Sequence, residues 1–335
     1  MKILITGCVG FIGFHITKLL LKEKYSIIGV DNINNYYDVK LKKDRLAELK
    51  KISLKEKSIF TFKKIDLSHS EDTNELFKEY QFDNIIHLAA QAGVRHSIQF
   101  PMDYISSNIT AFTNILEGCK NTDLKHLIYA STSSVYGSEK TLPLSEDLAC
   151  NKPLQLYAAT KKANEMMAYA YSSLFNLPST GLRFFTVYGP WGRPDMALFK
   201  FTKSIIEDKE IEIFNNGNHV RDFTYVEDIA EGIKRLVTKP PKLDTKKNSP
   251  PTRVLNIGSD NPINLLDFLN IIENKLGKVS KKKYLPIQMG DIVSTHASTK
   301  EFTNITNYQP STDIKEGISN FIEWYCEYYK IKLGN

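Results

Sequence analysis

Cysteine is scarce. The 335 residues hold only Cys8, Cys119, Cys150 and Cys326, far apart and without a Cys-x-x-Cys pair. That spacing argues against a disulfide framework or a cysteine-based zinc site and points to reduced thiols in the cytoplasm. Histidine is also sparse: seven residues and no His-Glu-x-x-His cluster, so no metal is expected. Long apolar runs are missing. Residues 12–21 come nearest, but His15, Thr17 and Lys18 interrupt them and the stretch is too short to cross a bilayer. The chain opens directly on an apolar strand pattern with no charged leader, so no signal peptide is expected. Charge is not concentrated either. Forty-four basic residues face 38 acidic ones, and the net +6 is spread along the chain, unlike the basic face of a nucleic-acid binder. Such a balance tolerates an anionic small-molecule substrate without requiring one. There are no internal repeats and no low-complexity tail.

What is present is a globular composition, 42% hydrophobic and 24% charged, at a length that suits one two-lobed unit or two domains. Short β-branched runs at 2–6, 26–31, 60–65, 84–88, 126–130 and 180–184 predict strands. Amphipathic stretches at 11–24, 39–50, 71–80, 103–120 and 154–175 predict the helices between them. Such alternation predicts an α/β chain built on a Rossmann-type, doubly wound parallel sheet, followed by a smaller C-terminal α/β lobe. Helices are expected at 197–208, 226–237, 265–276 and 314–328. Residues 239–253 read as a surface loop, and the lysine run 281–283 as a solvated face.

The first strand runs into Gly7-Cys8-Val9-Gly10-Phe11-Ile12-Gly13, which opens the first helix. Glycine at 7, 10 and 13 lets backbone approach a pyrophosphate, and a helix N-terminus favours the anion. Asp31 ends the second strand, where it can bond the adenosine ribose and repel a 2′-phosphate, favouring NAD over NADP. Asp66 ends the third strand and reads equally as an adenine contact or a helix N-cap. Tyr157 and Lys161 are four apart on a predicted helix and so share a face. A lysine there can lower the phenol pKa and ready it to take a proton. The hydroxyl-rich turn Ser131-Thr132-Ser133-Ser134 follows the 126–130 strand, at the end of the sheet where ligands bind. Each of the last two features also has a plainer reading, a surface pair and an ordinary turn.

In this order the motifs resemble the extended short-chain dehydrogenase/reductases, a group that includes nucleotide-sugar epimerases, dehydratases and decarboxylases. The resemblance spans essentially the whole chain. It implies that Thr132, Tyr157 and Lys161 are catalytic, and that Lys161 also binds the nicotinamide ribose. It implies that Phe11, Ile12, Leu67, Ala89, Ala90, Gln91, Asn108 and Tyr188 lie near a tightly held, regenerated NAD. It further implies an NAD-binding unit over 1–182 with a return segment near 220–258, a UDP-sugar lobe mainly over 183–335, and a homodimer formed through helices 103–120 and 154–175. No nucleic acid or membrane partner is expected.

Two positions bear on the reaction. Dehydratases of the group carry Asp-Glu after the catalytic Thr, and decarboxylases usually carry Glu at the second position; this chain has Ser133 and Ser134. Epimerisation remains. The segments Ala92-Gly93-Val94-Arg95-His96-Ser97 and 181–196 resemble UDP-glucuronate 4-epimerases, including those of capsule biosynthesis. By that resemblance Thr186 and Ser134 hold the sugar carboxylate with hydroxyls, and Arg193 lies near it. Arg221 sits at the diphosphate, Arg95, Ser133 and Asp291 are further substrate-binding residues, and Phe199, Ile213 and Phe214 help enclose the uracil. Arg193 could instead belong to an interface, with Asp195 as its partner. Arg221 could form a structural ion pair, and the three apolar residues could be core. A neutral UDP-sugar 4-epimerase and a UDP-glucuronate decarboxylase are the alternative activities. Relatives often read Pro-Gly-Asp, commonly with a preceding arginine, where this chain has Gln288-Met289-Gly290-Asp291. Their Tyr-Ala-Asp is His296-Ala297-Ser298 here.

Overall fold

The computed structural model describes residues 1–246, 249–288 and 290–332. Lys247 and Asn248 of the expected 239–253 loop, Met289 beside Gly290, and residues 333–335 of the expected second lobe lie outside the described residues. The chain runs β1 (Lys2–Thr6), α1 (Phe11–Lys22), β2 (Ser26–Asp31), α2 (Val39–Glu56), β3 (Phe60–Lys64), α3 (Ser70–Glu79) and β4 (Asn84–His87). Then come α4 (Val94–Gln99), α5 (Pro101–Tyr104), a π-turn at Ile105–Thr110, α6 (Ala111–Lys120), β5 (His126–Thr132), α7 (Leu156–Phe175) and β6 (Ser179–Phe184). The remainder is β7 (Thr186–Tyr188), α8 (Ala197–Ile206), β8 (Glu210–Phe214), β9 (Val220–Tyr225), α9 (Val226–Val237) and β10 (Thr252–Ile257), followed by β11 (Pro262–Asn264), α10 (Leu265–Leu276), β12 (Lys281–Leu285), α11 (Lys300–Thr306) and α12 (Ile314–Tyr329).

Alternate side chains of a strand point to opposite faces. Ile3, Ile5, Ile27, Ile86 and Ile128 enter the core under α1, α2 and α9, while Leu4, Ile28, Ile85 and Leu127 enter the core under α3, α6 and α7. Apolar residues on both faces give a sheet covered on both sides, with seven parallel strands in the order β10-β6-β5-β4-β1-β2-β3. The chain leaves β1 toward β2 and β3, then crosses to β4. The crevice beyond the carboxyl ends of β1 and β4 is therefore the topological switch point. The rest of the chain adds a three-stranded sheet, β11-β9-β7, and the parallel pair β12-β8. These pack with α8, α10 and α12 around Phe223, Phe268 and Phe321.

One element differs from expectation, and one exposed run carries more structure than expected. The helix expected over 103–120 is interrupted by the π-turn, whose Asn108 turns its side-chain amide to other segments. The lysine run 281–283 is part of strand β12, where Lys282 pairs with Glu273 at 2.5 Å and Lys281 with Asp208 at 2.5 Å. Lysine has low strand propensity, but on an edge strand it blocks further pairing.

Candidate active site

The carboxyl ends of β1, β2, β4 and β5 open into a cleft of about 1100 Å³. After β1 the chain turns at once into α1. Gly7 has φ +69°, and a Cβ there would lie 2.8 Å from the Ala89 backbone nitrogen. Gly10 caps α1 without a side-chain oxygen, so no side chain occupies the first-turn amides. A cradle that any Cβ would fill, floored by free helix amides, fits a dinucleotide pyrophosphate. Phe11, Ile12 and Gly13 complete that wall, with Leu67, Ala89, Ala90 and Gln91 facing the same cleft.

Asp31 ends β2 and accepts from the Ile33 amide at 2.8 Å; burial pushes its carboxyl up. Asp66 is no helix N-cap, since His69 holds that position before α3. Its carboxylate accepts from the Ser68 amide and hydroxyl, at 3.0 and 2.7 Å, and from Asn32 at 3.0 Å, while still lining the cleft. Lys42, which no motif marked, also lines it. Burial lowers its ammonium to about 8 against the opposing pull of Asp31.

Thr132 is the last residue of β5, and Tyr157 and Lys161 sit in the first turns of α7. All three face the cleft, where the Thr132 hydroxyl draws the Tyr157 phenol down. The expected lowering of Tyr157 by Lys161 is not found within the protein itself. Burial raises the phenol, and the groups drawing it down are Thr132 and the charge of Arg193. Lys161 is not among the groups acting on it. It is fully buried, and desolvation lowers it to about 7, so near neutral pH it carries a reduced positive charge.

Asn108 does not line the cleft but braces it. Its amide oxygen accepts from the Gln91 amide at 2.8 Å, and its nitrogen donates to the Gln91 carbonyl and the Thr160 hydroxyl, each at 3.0 Å. One side chain thus ties the exit of β4 to the residue preceding Lys161. Tyr104, also unmarked in the sequence, sets its ring edge against Tyr157 at 6.0 Å.

Ser133, Ser134, Thr186, Arg95, Arg193, Phe214, Arg221 and Asp291 come together in the same cleft from elements far apart in sequence. Arg95 stacks over Phe214 at 4.8 Å and so joins the two sides. Arg193 is held bidentately by Asp195, at 3.0 and 2.5 Å. Arg221 donates to the carbonyls of Val220, Ile292 and Val293, to His219 Nδ1 at 3.1 Å and to Asp291 at 3.3 Å. It is therefore the structural tie of the 291–293 loop as well as a cleft residue. Arginine has no acceptor, so neutral His219 must carry its proton on Nε2, which is buried without a hydrogen-bond partner among the described residues and lies 3.8 Å from Asp291 Oδ2.

Three more expected contact residues lie outside the main cleft. Tyr188 packs at the centre of the second core, 6.2 Å from Phe223 and 6.3 Å from Phe268, away from the main cleft. Phe199 is enclosed by Phe321, Trp324, Tyr325 and Tyr329. Ile213 is fully buried in the same core. All three are large side chains that the second core buries. Tyr36, His96 and His219 line the cleft but belong to no spacing pattern that would have singled them out.

Comparison with known proteins agrees with this geometry. Residues 3–258 match the NAD dependent epimerase/dehydratase family. The chain is 50% identical over 339 residues to Protein CapI of Staphylococcus aureus, covering 98% of this chain and all of that one. It is 41% identical to a probable UDP-glucuronate 4-epimerase of Rhizobium meliloti, covering 98% of each. The crystal structure of UDP-glucuronic acid 4-epimerase from Bacillus cereus with UDP-glucuronic acid and NAD superposes with a TM-score of 0.88 at 34% identity, over 98% of this chain and 100% of that one. With the dinucleotide cradle at the switch point and the Thr-Tyr-Lys set beside it, this chain belongs to the NAD dependent epimerase/dehydratase family, the extended branch of the short-chain dehydrogenase/reductases.

Proposed function

We propose that this protein inverts C4 of UDP-glucuronate to give UDP-galacturonate through a transient 4-keto sugar. The observation that carries the reading is one cleft holding Thr132, Tyr157 and Lys161 together with Thr186, Ser134 and Arg193, and serine rather than acid at 133 and 134. Bound NAD supplies oxidation at C4 and its reversal. Tyr157 takes the 4-hydroxyl proton and later returns it, with the Thr132 hydroxyl beside it in the cleft. Lys161 holds the nicotinamide ribose. A 4-keto uronate is a β-keto acid and tends to lose CO2. Thr186, Ser134 and Arg193 hold its carboxylate near the plane of the new carbonyl, which denies the breaking bond overlap with the π system. Arg221, Asp291 and Arg95 face the UDP end, with Phe214 beside the uracil. The 1–182 unit, with a return segment over 220–258, carries NAD, and residues 183–335 mainly carry the UDP-sugar.

One observation favours a neutral UDP-sugar instead: Asp195 already neutralises Arg193. Proton NMR of the protein with UDP-glucuronate and no added reductant separates the readings. UDP-galacturonate without UDP-pentose is the expected product. Dominant UDP-pentose would make the enzyme a decarboxylase, and turnover of UDP-glucose alone would make it a neutral-sugar epimerase. We also propose a cytoplasmic homodimer serving capsule or lipopolysaccharide synthesis. Its support is the four free thiols and the exposed apolar side chains Met102, Met166, Tyr169 and Leu174 on α5 and α7. Among the described residues no helix is long and apolar enough to cross a membrane.

A further inference from the structure

A guanidinium can meet carboxylates on two edges, Nε with Nη2 and Nη1 with Nη2. In Arg193 the first edge is filled by Asp195, at 3.0 Å from Nε and 2.5 Å from Nη2. Among the described residues, Nη1 has no hydrogen-bond partner, and the residue lines the cleft. Asp195 is itself held. The Tyr36 hydroxyl donates to its Oδ2 at 3.2 Å, and the guanidinium lies over the Tyr36 ring, 5.7 Å from its centre. Tyr36 in turn is fixed against His96, with ring centres 4.7 Å apart. It also sits so near Gly93 that a Cβ there would lie 2.6 Å from its hydroxyl. The Tyr36 ring and the Asp195 carboxylate thus hold one arginine, from the loop after β2 and the β7–α8 connection, and the segment after β4 fixes Tyr36.

We infer that Asp195, locked by Tyr36, is a positioning residue: it fixes Arg193 so that the free guanidinium edge receives the carboxylate of a uronic acid. The inference deepens the uronate reading above and rests on it. A free arginine must give up rotamer freedom when it clamps a ligand, and one already held gives up less. The two carboxylates would sit on different edges of one cation, so its charge lies between them. The pair also bears on specificity. In the absence of a second carboxylate Arg193 is already neutralised, so a neutral sugar gains little from it. A uronate gains an oriented bidentate partner.

The test uses the full-length, NAD-loaded enzyme. Turnover of UDP-glucuronate and UDP-glucose, and inhibition by UDP alone, are measured for wild type, Asp195→Asn, Asp195→Glu and Tyr36→Phe. Asp195→Asn is expected to raise KM for UDP-glucuronate about tenfold with a smaller change in kcat, because orientation of a clamp is lost. The Ki of UDP, which does not reach Arg193, should stay within about twofold. Asp195→Glu should recover part of the loss, and Tyr36→Phe should raise KM about threefold. An unchanged or lowered KM in Asp195→Asn would show that Asp195 merely neutralises or competes, and overturns the inference. So would a UDP Ki that rises in parallel, which marks general distortion. Should Asp195→Asn fail to fold, Tyr36→Phe decides alone: an unchanged KM overturns the inference. Wild-type enzyme that turns over UDP-glucose but not UDP-glucuronate removes the uronate reading itself, and is seen before any variant is made.

Discussion

Gly13 lies so close over Gly7 that a Cβ built on it would stand 1.9 Å from the Gly7 carbonyl oxygen. The contact is backbone, which cannot swing aside as a flexible side chain can. Gly13→Ala should therefore push α1 away from the turn, cost about 1–3 kcal/mol of stability as an overpacked site, and release NAD. Thermal unfolding together with the nucleotide content of the purified protein checks both. A variant that retains NAD at full occupancy would show that the turn relaxes more easily than its geometry suggests.

Tyr157→Phe removes one oxygen from a ring already fixed against Tyr104. The variant should fold and keep NAD, with turnover lowered by about 10²–10⁴-fold, the usual contribution of a positioned general base. Rates near wild type would remove Tyr157 from the proton transfer.

Asn108→Ala leaves the Gln91 amide and carbonyl without their side-chain partner and strips Thr160 of a donor. Each buried orphan costs about 1–3 kcal/mol. With the two Gln91 groups orphaned, urea unfolding should show a loss of about 2–6 kcal/mol, with weaker NAD retention because the β4 exit is no longer tied to α7. Wild-type stability would mean that water satisfies the site.

Three buried histidines, His15, His87 and His126, are held neutral most strongly. Burial lowers His15, His87 and His126 from 6.5 to about 3. Between pH 6.5 and 3 the unfolded chain binds protons that the folded chain does not. Their contribution is thus complete above 6.5 and is lost as pH falls through that window, by at most about 1.4 kcal/mol per pH unit for each histidine. Urea unfolding at pH 7.5 and pH 5 should show a steep fall. His15→Gln, which can keep the bond to the Pro190 carbonyl, should show a shallower one. Equal slopes would mean His15 titrates normally.

Much of the architecture is legible before any folding. Strands β1 and β2 and helices α9 and α10 stand where their apolar periodicity places them, at the residues expected. Period and end signals are written within each element. β8, β9 and β12 were not legible, because a strand with one exposed face and charged residues, such as Glu210–Phe214, carries only a weak local signal.

The sequence by itself determined the sheet's alternation, the glycine turn after β1, the acidic end of β2, and the one-turn spacing of Tyr157 and Lys161. Each depends on residues within a few positions of one another, so local geometry suffices. Tertiary structure alone decided that Tyr188 faces Phe223 and Phe268, that Arg193 is gripped by Tyr36 across 157 positions of chain, and that Asn108 fastens Gln91 to Thr160. It also decided that burial leaves Lys161 poorly charged and the Tyr157 phenol raised. Burial and pairing are properties of whatever packs against a side chain. Where those neighbours come from distant segments, no local pattern encodes them.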